Sequence, residues 1–435
     1  MKLLIKNGIV IDGSGRPGYH SDIYLADGVV KQIETDISLD SLEKREQVRA
    51  IDAEGKLVVP GLIDIHVHLR EPGQEAKETI NTGTRAAARG GFTAVACMPN
   101  TEPAIDTRAT VELVRAIASR EGVTRVYPVG AITKGRQGQE LCEFGDLREG
   151  GAVALSDDGS GIMKSDVMRR ALEYSKTFDL PIICHCEDKD LAGNGVMHEG
   201  YWSIVMGLPG IPALAEELMV ARDIELAMLT KARIHLAHIS TRGSVELIRQ
   251  AKAKGVRVTA EVAPHHLVLT DEAVKEYDTN TKVNPPLRCE EDIKALIQGL
   301  QDGTIDLIAT DHAPHTHEEK NQEYQYAPFG LVGLETALGL AITVLVEPGY
   351  LTWEQLVEKM STNPAKALGV VGGIIAVNQP ADITIIDPKN SWTVDKHDFA
   401  SLGKNTPFHG WQLVGKAQAT IVAGKLVMEQ GNILA

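Results

Sequence analysis

Apolar and polar positions follow two different rhythms along the 435 residues. Over residues 1–59 they alternate in short runs, LLIKNGIVID, DIYLADGVVKQIE and KLVVPG, broken at Lys6–Asn7–Gly8 and Ala26–Asp27–Gly28. A period of two between turn residues marks half-buried strands. The tail repeats this rhythm in ADITIIDP (381–388) and WQLVGKAQATIVAGKLVMEQG (411–431). Both ends are therefore expected to pair into one small discontinuous β-sandwich domain, residues 1–59 and 371–435.

Between them, near-continuous apolar runs alternate with helical patterns. Eight runs stand out: LIDIHVH (62–68), FTAVACMPN (92–100), RVYPVGAIT (125–133), GAVALSDDG (151–159), LPIICHCED (180–188), RIHLAHIS (233–240), VRVTAEVAPHH (256–266) and DLIATDHAP (306–314). Amphipathic stretches such as TINTGTRAAARGG and SDVMRRALEYSKTF separate them. Strands apolar on both faces, alternating with helices, imply a parallel sheet. Eight of them make residues 60–370 an α/β domain of the (β/α)8 TIM-barrel type, with a doubly wound open sheet as the alternative.

A barrel carries its chemistry at the C-terminal ends of its strands, and the polar residues fall there. His66 and His68 end the first run, Asn100 the second and Asp157–Asp158 the fourth. His185 ends the fifth, His238 the sixth, His265–His266 the seventh and Asp311–His312 the eighth. Side chains two apart on a strand share a face, so His66 and His68 are expected to aim together into the barrel mouth. Alone, HxH is a weak signal. Joined by His185, His238 and Asp311, it reads as a metal site of imidazole and carboxylate donors.

Composition narrows the field further. With 44 Lys and Arg against 59 Asp and Glu, the formal charge is −15. No basic cluster interrupts that background, so neither a nucleic-acid nor an anionic-membrane partner is expected. Five scattered cysteines (Cys97, Cys142, Cys184, Cys186, Cys289) suit a reducing cytoplasm better than a disulfide framework. MKLLIKNGIVIDGSG has no uninterrupted apolar core, so no signal peptide is expected. No apolar run reaches the roughly 18 residues a membrane span needs.

The chain resembles the cyclic amidohydrolases of the metal-dependent amidohydrolase superfamily, and among them the bacterial, monofunctional (class I) dihydroorotase family. Nine stretches carry the likeness: PGLIDIHVHLREPG (60–73), AVACMPNTEP (94–103), LSDDG (155–159), HCED (185–188), HLAHIS (235–240), APHHL (263–267), KVNPPLR (282–288), ATDHAPHT (309–316) and APFGLVGLETAL (327–338). The resemblance spans nearly the whole chain. It implies reversible, zinc-dependent cyclisation of N-carbamoyl-L-aspartate to L-dihydroorotate, in pyrimidine biosynthesis.

Many members of that superfamily bridge two metals with a carboxylated lysine. Here the fourth run has no lysine, and the position 27 residues before His185 is Asp158. That departure resembles the dihydroorotase subgroup with a bridging aspartate, and implies one or two Zn2+. Lys164, a few residues on, is read as a surface lysine. Asp311 is expected to touch a metal and to act as the base. Arg70, two residues past His68, is expected to bind the substrate carboxylate in bidentate fashion, helped by His68 and by Asn100. By resemblance, Asn284, His315 and the backbone at Phe329–Gly330 complete the substrate shell. The resemblance also implies a homodimer and an association with aspartate transcarbamoylase. The polar segment 315–330 is expected to serve as a lid.

Other residues are assigned blander roles. Cys184 and Cys186 fall on the strand face opposite His185 and read as buried small hydrophobes. Asp157 points away from Asp158. His265 and His266 read as structural, and His20, His198, His317, His397 and His409 lie outside the cluster. Two rival functions stand beside the main one: another cyclic amidohydrolase such as an allantoinase or hydantoinase, and a scaffold that has lost its ligands. The absent bridging lysine speaks against the first, and the filled ligand positions against the second.

Overall fold

The structure, a computed structural model, describes residues 2–42 and 47–434. All eight apolar runs form strands: Leu62–Val67, Phe92–Cys97, Arg125–Gly130, Ala154–Ser156, Ile182–Cys184, Ile234–Leu236, Val258–Val262 and Leu307–Ile308. They lie side by side in chain order, each parallel to the next. The eighth segment returns to the first through a parallel bridge between Val67 and His312, where His68 N donates to His312 O at 2.8 Å. That closure makes a barrel and removes the open-sheet alternative.

The helical patterns form where the capping chemistry allows them. Thr79 caps the helix Ile80–Gly90 through a reciprocal bond with Thr82, and Gly91 ends it in the left-handed region at φ 90°. Ser165–Ser175 buries Val167, Met168, Ala171 and Leu172, a stripe at helical spacing. The main core lies between such helices and the outer strand faces, while Ile63, Ile65, Ala94, Ala96, Ile183 and Leu307 belong to a second cluster that fills the barrel.

The chain ends join as the alternation predicts. Leu57–Pro60 pairs antiparallel with Ile383–Thr393, linking the two halves within one nine-stranded sheet. Strand Lys2–Val10 is irregular between Ile5 and Gly8, and pairs with Val48–Asp52 before that point and Leu57–Pro60 after it. Leu3, Ile23 and Val58 from the N-terminal part share a core with Ile383, Ala419 and Ile421 from the C-terminal part. Among the described residues no helix is long and apolar enough to cross a membrane.

Candidate metal centre and active site

Strand one delivers its histidines through an irregularity. Ile63 and Ile65 belong to the cluster inside the barrel, so strict alternation would turn His66 outward. Instead the three steps from Asp64 to Val67 run opposite only two on strand two, from Val95 to Cys97. Such a bulge changes which face the following residues present, and His66 and His68 both enter the mouth. Arg70, His238 and Asp311 have left-handed backbones at φ 63°, 34° and 49°. Non-glycine residues there cost about 1–3 kcal/mol each, and such strain gathers at functional sites.

Six candidate ligands converge. His66 Nε2 lies 3.4 Å from Asp158 Oδ1 and 3.7 Å from Asp311 Oδ1. His68 Nε2 lies 3.0 Å from Asp311 Oδ1 and 3.6 Å from Asp158 Oδ2. The same Oδ1 of Asp158 is 3.5 Å from His185 Nδ1 and 3.6 Å from His238 Nε2, which are 2.9 Å apart. Two donors each bonded to zinc at tetrahedral angles stand about 3.4 Å apart, so these spacings suit a cation held between them. His66 Nε2 and Asp158 Oδ1 are buried and have no hydrogen-bond partner among the described residues. Buried polar atoms are rarely left so, and a divalent metal would satisfy both. Asp158 faces both halves of the cluster, as a bridging ligand must.

Charge supports the fit. Burial works against ionised Asp311, yet the hydrogen bond from His68 and the charges of His66 and His68 hold its carboxyl well below the usual range. Burial likewise opposes ionised Asp158, and His66, His185 and His238 hold it low. Both are carboxylates at neutral pH.

A second layer orients the imidazoles. His68 Nδ1 donates to Asn100 Oδ1 at 2.8 Å, so Asn100 grips a candidate ligand as well as facing the cavity. Glu261 Oε1 lies 2.5 Å from His66 Nδ1 and also accepts from His238 N at 3.2 Å. Its Oε2 is 2.9 Å from His235 Nε2, whose Nδ1 meets Thr259 Oγ1 at 2.8 Å. The sequence reading missed Glu261 and His235. A signal existed: Val258, Ala260 and Val262 pack outward, so alternation turns Thr259 and Glu261 into the barrel.

A cavity of about 200 Å3 opens over the cluster, lined by His68, Arg70, Asn100, Asp158, His185, His238, Asn284, Asp311, His315, Phe329 and Gly330 among others. Only His66, fully buried behind it, is absent from that wall among the sequence-predicted residues. Arg70 is 7% exposed and has no carboxylate within 4 Å among the described residues. Its Nε donates to Pro314 O at 3.2 Å, and its Nη2 lies 3.4 Å from His315 Nε2. Burial lowers its pKa to about 10, which leaves it charged at neutral pH. Asn284 reaches the cavity but gives its Nδ2 to Glu187 Oε1 at 3.0 Å. His315 Nε2 donates to Phe329 O at 2.8 Å. Gly330 sits at φ 126°, where an added Cβ would come within 2.7 Å of Ala313 Cβ. The segment 315–330 is tied down by Lys320 Nζ to Pro328 O and by Lys282 Nζ to Tyr324 O and Gln325 O.

The residues set aside behave accordingly. Asp157 accepts from the backbone of Ile132 and Thr133, at 2.8 and 3.0 Å. Cys184 and Cys186 are buried, and Cys186 Sγ approaches Asp223 at 3.7 Å. Lys164 is exposed. His266 Nε2 donates to Pro285 O at 2.9 Å, whereas His265 Nε2 has no partner.

A barrel with histidines and carboxylates gathered at its strand ends, beside a sheet built from both chain ends, defines a metal-dependent amidohydrolase. Comparisons with known proteins narrow the class. A family model described as dihydro-orotase-like matches residues 55–244. A dihydroorotase of Pelotomaculum thermopropionicum is 58% identical over 429 residues, 99% of each chain. One of Acetivibrio thermocellus is 54% identical over 432 residues, 99% of this chain and 100% of the relative. Among solved structures, an L-hydantoinase (dihydropyrimidinase) from Arthrobacter aurescens superposes with a TM-score of 0.89 at 27% identity, over 100% of this chain and 97% of that one. The chain belongs to the dihydroorotase family, and it is an enzyme of the cyclic amidohydrolase type.

Proposed function

We propose that this enzyme interconverts N-carbamoyl-L-aspartate and L-dihydroorotate, as a dihydroorotase. The observation that carries the substrate is Arg70, a buried guanidinium without a carboxylate partner among the described residues, on the wall of the cavity that holds Asp311. An unpaired buried charge is costly, and a planar guanidinium matches a carboxylate. The free carboxylate that survives ring closure fills that role. Asn100 Nδ2 faces the same group, since its Oδ1 is occupied by His68.

The metal is zinc, one or two ions, supported by imidazole and carboxylate donors without thiolates. His66, His68, Asp158 and Asp311 would hold one ion, and Asp158, His185 and His238 the other. Such a metal supplies Lewis-acid polarisation of the acyl group and acidifies water. Asp311 moves the proton: in ring closure it takes one from the carbamoyl nitrogen as that nitrogen bonds to the acyl carbon, then delivers it to the carboxylate oxygen, which leaves as hydroxide when its C–O bond breaks. His315, Asn284 and the backbone at Phe329–Gly330 surround the ring, and segment 315–330, anchored through Lys320 and Lys282, covers that side of the cavity.

Residues 1–59 with 371–435, and residues 60–370, are the two structural units. A homodimer is supported by exposed Tyr201, Ile204 and Val205 on one helix and Leu214 and Leu218 on the next. Association with aspartate transcarbamoylase rests on the family resemblance. A cytoplasmic location is supported by five free cysteines.

The test is ring opening of L-dihydroorotate measured beside hydantoin and allantoin. L-Dihydroorotate is expected to be turned over fastest. Preference for either competitor contradicts the assignment.

A further inference from the structure

Beside the catalytic cavity, on the other side of His315, lies a hollow of about 460 Å3 that the proposed reaction does not use. Three segments build it: 279–280, 315–321 and 396–405. His315, His317, Lys320, Lys396, His397 and Lys404 line it, and no aspartate or glutamate does. That is unusual in a chain of net charge −15.

Three carboxylates close by in sequence have partners of their own. Glu319 meets Lys77, the backbone of Thr316 and, at 3.3 Å, Nδ1 of His315 in the hollow's wall, Asp278 caps Asn280, and Asp395 accepts from His397 N. Lys320, Lys396 and Lys404 have no ion-pair partner within 4 Å among the described residues. Lys320 is 6% exposed, and its Nζ donates to Pro328 O. Lys404 Nζ reaches Phe399 O and Ser401 O at 2.6 and 2.7 Å. Carbonyl oxygens solvate these ammonium groups without neutralising them. An anion in the hollow would do so, and burial makes such a contact stronger than at the open surface. Burial, then repulsion from Lys282, pushes Lys320 down to about 7, against the pull of Asp278 and Glu319.

The two cavities share a wall. His315 lines both, contacting Arg70 at 3.4 Å on the catalytic side. Asn405 accepts from His315 N at 3.1 Å and donates to Ala313 O and Gly330 O, at 3.0 and 3.1 Å. His315 and Asn405 thus tie the hollow's wall to the substrate side.

We propose that this hollow is a second ligand site, for a small organic dianion (a phosphate ester or a dicarboxylate), whose occupancy changes substrate affinity through His315 and Asn405. The coupling rests on the reading of His315 as part of the substrate shell; the binding itself does not.

Calorimetric titration of the metal-loaded enzyme with glycerol 3-phosphate and, separately, succinate tests this. At least one probe is expected to bind Arg70→Met within about threefold of the wild type, because Arg70 does not line the hollow and reaches it only through His315. It should bind Lys404→Ala and Lys396→Glu about tenfold more weakly, the loss expected for one charge-assisted contact. Which probe binds assigns the ligand to the phosphate esters or the dicarboxylates. The bound probe should also shift the KM for L-dihydroorotate at least twofold. Should Lys404→Ala fail to fold, Lys396→Glu, nearer the surface, carries the comparison. Silence with both probes, binding lost in Arg70→Met but kept in the lysine variants, or an unchanged KM overturns the proposal. Calorimetry reads the site even if ring opening fails, so the two proposals stand or fall separately.

Discussion

Glu261 Oε1 stands 2.5 Å from His66 Nδ1, in a place with no access to solvent. The contact fixes which nitrogen of His66 is free to face Asp158, and the same carboxylate holds His235 and the backbone of His238. One side chain on strand seven thus sets the geometry of candidate ligands on strands one and six.

Glu261→Gln is expected to weaken metal binding 10- to 100-fold, the usual cost of losing a partner that orients a ligand. Competition with a chromophoric chelator measures it directly. A fully metal-loaded variant should regain most of its turnover, whereas Asp311→Asn should not at any metal concentration. Unchanged metal affinity in Glu261→Gln would show that His66 needs no such support.

Arg70→Met removes the carboxylate clamp but keeps much of the side-chain bulk. Losing a charge-assisted contact of about 1.5–3 kcal/mol lowers kcat/KM for L-dihydroorotate roughly ten- to a hundredfold. Steady-state kinetics at fixed zinc tests it. An unaffected kcat/KM refutes the assignment of the substrate carboxylate.

Much of this was legible in the chain because barrel strands are short, apolar and set apart by helices. Period two also predicts that His66 and His68 share a face. It does not predict which face: counted from Ile63 and Ile65 it points His66 outward, and only the bulge before Val67 turns it inward. No local pattern announces that bulge, which arises from pairing with a strand some thirty residues on. Glu261 hid for another reason. Alternation turns it into the barrel, but its role depends on His235 and His66 reaching it from other strands, which no spacing within its own run announces. Asn284 shows the converse, since resemblance gave its position but not its bond to Glu187.

Glu335 gives the fold a pH dependence. Burial pushes its pKa up to about 7, against the pull of Arg89 at 3.3 Å. The folded state therefore binds a proton more tightly than the unfolded chain. The resulting stabilisation is full below the ordinary value of 4.5 and is lost as pH rises through about 7. The span amounts to about 3 kcal/mol. Glu335→Gln removes the titration, so urea midpoints between pH 5 and pH 8 should fall less steeply than in the wild type. Parallel curves would assign the dependence to other groups.

The proposed reaction needs both a metal at the strand ends and a substrate carboxylate on Arg70. A crystal structure with L-dihydroorotate bound, recorded at the zinc absorption edge, tests both parts in one measurement. Anomalous density is expected among His66, His68, Asp158 and Asp311, with the ligand carboxylate paired to the Arg70 guanidinium. Density confined to the exposed Asp395, His397 and His409 group, or a carboxylate bound away from Arg70, would contradict the proposed reaction.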